Sequence, residues 1–215
     1  MKTNNNSKLA VIVTTLMSLF FSITASAVSF SQSERESLKA GKTIHKYLDN
    51  SSENGFFGGS GYTLIDAPPE VVWNAILDFD VYNKVFSATN KVSEVNRKGD
   101  RSLIHYKMGY KFLNLEYYVD VTRNHEKYTV SFEMIKNMPH DIINARGYWR
   151  LFPQKGGRTL VAYIVSAQIP MGIVNLMNSD WKALVERNLI GAPNDLKIWI
   201  NSPGGKKYFK RTAKK

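Results

Sequence analysis

The sequence predicts an α+β fold built on an antiparallel sheet, and three observations carry that prediction. The first is a strand, a Pro-Pro stop and a short helix in direct succession, in Gly61-Tyr-Thr-Leu-Ile-Asp-Ala-Pro-Pro-Glu-Val-Val-Trp-Asn-Ala-Ile-Leu77. The second is a series of strand-like runs from Lys91 to Gln168, broken by short polar turns such as Lys98-Gly-Asp100 and Pro153-Gln-Lys-Gly-Gly157. The third is an amphipathic helical stripe that begins at Ile173 and follows the last strand. Strands grouped ahead of a helical C-terminal region make an α+β domain.

Ser31 to Ala40 reads as a helix, with Ser31 or Ser33 as its cap, early acids at Glu34 and Glu36, and Gly41 as its stop. Thr43 to Asp49 reads as a strand, and Asn50 to Gly55 as a turn by composition. Phe56 and Phe57 lead through Gly58-Gly59 into the strand Gly61 to Asp66, which alternates as a half-buried strand does. Pro69 fits the first helical turn, where a missing N–H costs nothing, and Glu70 complements the helix dipole there. Val72, Trp73, Ile76 and Leu77 then share one helical face, and a second, shorter helix runs to Val85 and Phe86. Strands follow at Lys91–Asn96, Arg101–Tyr110, Asn114–Thr122, Tyr128–Lys136, Ala145–Phe152 and Thr159–Gln168. In the third of these Leu115, Tyr117, Val119 and Val121 share a face opposite Asn114, Glu116, Tyr118 and Asp120. Pro170 ends the last strand. The C-terminal stripe runs Leu176, Met177, Trp181, Leu184 and Val185, restarts after Gly191-Ala-Pro193, and continues through Leu196, Trp199 and Ile200. Ser202-Pro-Gly-Gly205 is expected to end the domain.

The succession Ala67-Pro-Pro-Glu-Val-Val-Trp73, Asp78-Phe-Asp-Val-Tyr-Asn-Lys-Val-Phe86 and a later Gly147-x-Trp-x-Leu151 strand resembles the START-like superfamily. That group, also called SRPBCC or helix-grip, includes polyketide cyclases and hydrophobic-ligand carriers. The resemblance spans roughly residues 40 to 200, the size of one domain. It implies a helix-grip fold, in which a curved antiparallel β-sheet wraps a long C-terminal helix and two short helices follow an early strand. It also implies a hydrophobic cavity between sheet and helix, with Trp149 and Leu151 facing inward and Tyr148 and Arg150 outward. On that basis the residues expected to line the cavity are Trp73, Leu77, Phe86, Met108, Tyr117, Phe132, Trp149, Leu151, Tyr163, Met177, Trp181 and Leu184. A fold of this kind does not by itself name a ligand.

The first 27 residues read as an export signal: Lys2 and Lys8, an apolar run from Leu9 to Ile23, then the small-residue site Ala25-Ser-Ala27. The expected organisation is therefore a signal peptide at 1–27, a START-like ligand-binding domain at 28–204, and a basic tail at 205–215. The expected location is periplasmic or secreted. The chain has no cysteine, which excludes disulfides, thiolate metal sites and an N-terminal lipoprotein anchor. Hydrophobic residues at 43% and aromatics at 12% are enough to bury a core and still line a pocket. The net charge is +11, and loss of Lys2 and Lys8 leaves +9. Six of the cations crowd the end, at Lys206, Lys207, Lys210, Arg211, Lys214 and Lys215. Interleaved with Tyr208 and Phe209, they suit the surface of an anionic membrane. The same composition suits nucleic acid, but export sets that partner aside. The tail after Gly205 is expected to be disordered unless it meets a partner, and the plain alternative to both partners is a solvated tail that keeps the protein soluble.

No catalytic constellation stands out. His45, His105, His125 and His140 lack metal-ligand spacing, so no metal or cofactor is expected. Gly58-Gly-Ser-Gly61 opens no helix and has no following Lys, which reads as a strand irregularity and not as a phosphate cradle. The expected function is non-enzymatic: binding of a hydrophobic small molecule (lipid, sterol-like compound or quinone) as carrier or sensor, with tyrosine hydroxyls fixing its polar end. A cyclase-type enzyme would need an acid or base in the cavity, and His105, Glu116 and Glu133 are the in-strand candidates. A packed interior would instead suit an envelope interaction module.

Overall fold

The computed structural model describes residues 29–47, 55–110, 113–175 and 187–212. The expected signal segment and the turn beginning at Asn50 fall largely outside them. Helix α1 (Gln32–Lys39) opens on a capping box: the Ser31 hydroxyl accepts from the Glu34 N–H, and the Glu34 carboxylate accepts from the Ser31 N–H at 2.7 Å. The pairing fixes the start of a short helix that has only Leu38 buried.

Strands β1 (Ile44–Tyr47) and β2 (Phe56–Ile65) precede helix α2 (Pro69–Ile76), a 3₁₀ turn at Phe79–Val81 and helix α3 (Tyr82–Val85). Six strands follow: β3 (Thr89–Lys98), β4 (Arg101–Tyr110), β5 (Leu113–Asn124), β6 (Thr129–Met134), β7 (Asn144–Gln154) and β8 (Arg158–Gln168). After β8 come α4 (Met171–Val174), a helical turn at 187–190, α5 (Ala192–Asn201), a 3₁₀ turn at Pro203–Gly205 and α6 (Lys206–Thr212). The described strands form one curved, eight-stranded antiparallel sheet in the order β1-β2-β8-β7-β6-β5-β4-β3. From β3 to β8 it is a meander, and β8 returns beside β2. The link from β2 to β3 must therefore cross to the far edge, and α2 and α3 make that crossing over the inner face. There α2 meets β7 and β8 while α3 meets β3.

Strand β2 begins at Phe56, earlier than the alternation suggests. Gly58 and Gly59 continue its ladder, opposite Ser166 and Val165 of β8. Gly61 has a different task. A Cβ there would stand 2.2 Å from the Ile190 carbonyl oxygen and 3.1 Å from the Pro193 ring. Its bare backbone lets the start of α5 sit directly on the sheet. The obstacle is main chain, which cannot rotate aside, so Gly61→Val is expected to cost about 2–3 kcal/mol in urea denaturation. A loss below about 0.5 kcal/mol would mean that α5 does not dock on β2 in this way.

The inner face holds one core that joins Ile65, Val72, Ile104, Val119, Leu196 and Ile200 among others, and alternation places it as the sequence suggests. Val119 and Val121 are buried while Leu115 and Tyr117 pack on the same cluster. Trp149 and Leu151 are buried and Tyr148 is exposed. Edge strand β3 bulges twice, between Thr89 and Lys91 and between Glu94 and Asn96.

The C-terminus corrects the expectation of a disordered tail after Gly205. Residues Lys206–Thr212 form α6, which meets α2 and α5, and Tyr208 is wholly buried. The Tyr208 hydroxyl donates to Asp78 Oδ2 at 2.9 Å and accepts from Trp199 Nε1 at 3.2 Å. Lys207 Nζ lies 2.5 Å from the same Asp78 oxygen. Gly204 allows this closure, since a Cβ on it would come 2.4 Å from the Trp199 ring. Ser202-Pro-Gly-Gly205 is thus a corner inside the fold. The density of cations concealed one aromatic side chain that returns to the core.

Candidate ligand-binding site

The inner face of the sheet does not fill its whole interior. A cavity of about 90 Å³ remains between strands β4 to β8, the link from α3 to β3, and the start of α5. Tyr106 and Met108 of β4, Tyr117 and Val119 of β5 and Phe132 of β6 form one side. Ala145 and Trp149 of β7 continue it with Tyr163, Val165 and Ala167 of β8. Tyr82, Phe86, Ser87, Ala88 and Thr89 close it from one end, and Asn188, Leu189, Ala192 and Asp195 from the helical side.

Aromatic contacts hold these rings in place. Tyr163 stacks on Trp149 with centroids 4.1 Å apart, and Tyr106 lies parallel to Tyr117 at 5.4 Å. Phe86 stands edge-on to Tyr82 at 4.8 Å. Among the described residues two of the four phenols have hydrogen-bond partners: the Tyr82 hydroxyl donates to the Ile76 carbonyl at 2.5 Å, and that of Tyr117 to Met108 Sδ at 3.2 Å. Burial pushes all four phenols above the ordinary tyrosine value, so each is a neutral donor at physiological pH. Tyr106, Tyr117 and Tyr163 keep some accessible surface although they lie deep, as expected of side chains that face a void. Asp195, in the first turn of α5, is pushed up to about 6 by burial, against a nearby Arg187 that pulls it down. A carboxyl there gives up its proton close to neutrality.

Six of the expected lining residues meet at the cavity: Phe86, Met108, Tyr117, Phe132, Trp149 and Tyr163. Trp73, Leu77 and Leu151 are interior but stand off it. Trp73 donates from Nε1 to His125 Nδ1 at 3.2 Å and stands edge-on to Tyr128 at 5.6 Å. Leu77 packs on the same core at the end of α2, and Leu151 is buried opposite Val161 of β8. Met177, Trp181 and Leu184 lie outside the described residues. Sequence reasoning missed Tyr82, Tyr106 and Asp195 as lining. Tyr106 was within reach, because it shares the parity of Met108 on β4. Asp195 gave no signal, since an acid in a first helical turn is usually a solvated dipole partner.

The same parity places His105 on the outer face, where it stacks on Tyr118 at 4.2 Å and lies 3.4 Å from Glu116. Glu116 also pairs with Lys107 at 3.2 Å, and Glu133 is exposed on the outer face of β6. None of these three candidates lines the cavity. Among the described residues no group of His, Cys, Asp or Glu is arranged to hold a metal ion.

The family described as polyketide cyclase / dehydrase and lipid transport matches residues 62–191, more than half of the chain. The chain belongs to this family. Within the polyketide cyclase / dehydrase and lipid transport family the match begins at Tyr62, inside β2, runs through β8 and ends at Gly191, just before α5. The fold is that of the START/SRPBCC superfamily. Three solved structures are similar to it. TTHA0849 from Thermus thermophilus is 17% identical, with 68% of this chain and 99% of that one covered at a TM-score of 0.57. The Zhui aromatase/cyclase from Streptomyces sp. R1128 is 15% identical, covering 73% and 96% at 0.56. A STAR-related lipid transfer protein fragment from Xanthomonas axonopodis is 15% identical, covering 75% and 93% at 0.56. Identities this low speak to the fold alone. Among curated protein sequences none matches this chain.

Proposed function

We propose that this protein is an exported, non-enzymatic carrier or sensor that holds a hydrophobic small molecule between its sheet and its C-terminal helical segment. A lipid, a sterol-like compound or a quinone suits the site. The observation that carries this reading is the wall, in which Phe86, Met108, Phe132 and Trp149 enclose space that ordinary core packing would remove. Affinity would come from apolar surface leaving water, at about 25 cal/mol per Å². The free volume of about 90 Å³ is well below the roughly 300–1,000 Å³ typical of small-molecule sites. Admission of a ligand therefore needs a movable wall, and Phe86 and Ser87 with the helical turn at 187–190 are lining segments outside the sheet ladder. Protein recovered from outside the cytoplasm and measured by native mass spectrometry tests export and binding together. The expected species begins at Val28 and carries an organic mass that solvent extraction removes. A species that begins at Met1 removes the export step; a bare polypeptide that also refuses every apolar probe removes the carrier reading.

The basic end is proposed to meet an anionic membrane surface. Tyr208 is buried and Lys207 is paired with Asp78, while Lys206, Phe209 and Lys210 are exposed on α6. Among the described residues no helix is long and apolar enough to cross a membrane, so the contact would be peripheral. Replacing Lys206 and Lys210 by Glu is expected to cut co-sedimentation with anionic vesicles by about tenfold or more at low salt, at roughly 1 kcal/mol per cation. The difference should fade as salt rises. Equal sedimentation of both forms would assign any membrane contact to another surface.

Asp195 favours a second reading, a cyclase-type enzyme that works on a hydrophobic substrate in the same cavity. A lining carboxyl with a pKa of about 6 has the proton affinity of a general acid or base. A bound molecule recovered chemically unchanged after long incubation supports the carrier; its conversion, lost in Asp195→Asn, supports the enzyme.

A further inference from the structure

The four phenols of the cavity are not equivalent. Tyr82 and Tyr117 spend their hydroxyl protons on Ile76 and Met108. No described residue supplies a hydrogen-bond partner for the hydroxyls of Tyr106 or Tyr163, and both side chains face the void. Their rings are not free to turn away, because one lies against Tyr117 and the other against Trp149. A pure hydrocarbon that fills the cavity would displace water from these two donors and offer no acceptor in return. The wall is also asymmetric in charge. Among its described residues there is no Lys, Arg or His, and Asp195 is the only carboxyl among them. Arg187 acts on Asp195 from nearby but is not part of the lining. A carboxylate head would therefore lose its water beside a like charge, with no counterion among the described lining residues.

We propose that the cavity selects ligands that carry an uncharged oxygen group, a carbonyl or hydroxyl, received by Tyr106 and Tyr163, and that it discriminates against both bare hydrocarbons and fatty-acid-like anions. The inference rests on the cavity being a ligand site. Because the two rings are already held in position, little ordering is needed when the oxygen arrives, and preference should appear in affinity. A site built to hydrogen-bond one group rejects the analogue that lacks it, since its own donors are then left buried and unpaired.

Three probes on one frame separate the possibilities at pH 8: 2-ethylnaphthalene, 2-acetylnaphthalene and 2-naphthoate, which are close in shape. Isothermal titration of the purified protein should give the acetyl probe an affinity about tenfold or more above the ethyl probe, with naphthoate weakest. In the Tyr106→Phe, Tyr163→Phe double variant the acetyl-to-ethyl ratio should fall to near one. In Asp195→Asn the naphthoate deficit relative to the acetyl probe should narrow. A wild-type ratio already near one, a ratio that survives the double substitution, or tightest binding by naphthoate overturns the proposal and leaves the apolar-ligand reading standing. Binding of none of the three by the wild type removes both. The wild-type comparison needs no variant to fold.

Discussion

Tyr208→Ala is expected to lower the unfolding free energy by about 3–5 kcal/mol, the range for removing a fully buried aromatic ring. The ring is wholly buried beneath α5 and α2, so its loss opens a void that the surrounding backbone cannot easily fill. The hydroxyl adds to the effect. It links Trp199 Nε1 to the Asp78 carboxylate, and without it the indole N–H loses its acceptor. Tyr208→Phe keeps the ring and is expected to cost about 1–2 kcal/mol, which divides packing from hydrogen bonding. Lys210→Ala, two residues on and exposed, should stay within about 0.5 kcal/mol. Deleting Lys206 to Lys215 should then destabilise the domain at least as much as Tyr208→Ala. Urea midpoints of the four variants against wild type decide the matter. A Tyr208→Ala loss below about 1 kcal/mol would return α6 to the status of a solvated end.

That correction shows what kind of information the sequence holds here. Burial parity was legible wherever a strand alternates: Leu115, Tyr117, Val119 and Val121 face the core as their spacing says, and Trp149 and Leu151 point opposite to Tyr148. The α1 cap and the Pro69 start of α2 were legible because they are local hydrogen-bond and steric effects. What a buried side chain meets was not legible. Trp73 and Trp149 look alike in the sequence, yet one abuts His125 and Tyr128 and the other borders empty space. That difference is fixed by strands far away in the chain, which periodicity does not see. Tyr208 is the same problem in a polar setting. The exposed Lys206 and Lys210 describe the solvent side of α6, while the buried Tyr208 depends on Asp78 and Trp199 being there to receive it.

The second large effect concerns a charge inside the sheet. Arg123 of β5 is almost fully buried: it donates to Ser102 Oγ at 2.7 Å and to Glu94 Oε1 at 2.9 Å, and lies 5.6 Å from the Phe79 ring centre. Ser102 Oγ donates in turn to the same Glu94 oxygen. Glu94→Gln leaves the guanidinium buried without a counter-charge, and about 3 kcal/mol of stability should be lost, the low end for breaking such a pair because Glu94 is itself a third exposed. Adding Arg123→Met should recover part of that loss, since no buried charge then remains. The pH dependence follows from the carboxyl. Burial acts to raise it, but the Ser102 hydroxyl and the Arg123 guanidinium outweigh burial and hold it below the ordinary value of 4.5. A folded-state value below the unfolded one means that the extra stability is present above the unfolded value. It is lost as pH falls through the folded one. Wild type and Glu94→Gln should therefore differ by a constant amount between about pH 6 and 8 and converge as pH drops below 4.5, where both side chains become neutral. A gap that persists undiminished to about pH 3 would show that the pair acts through shape and not through charge.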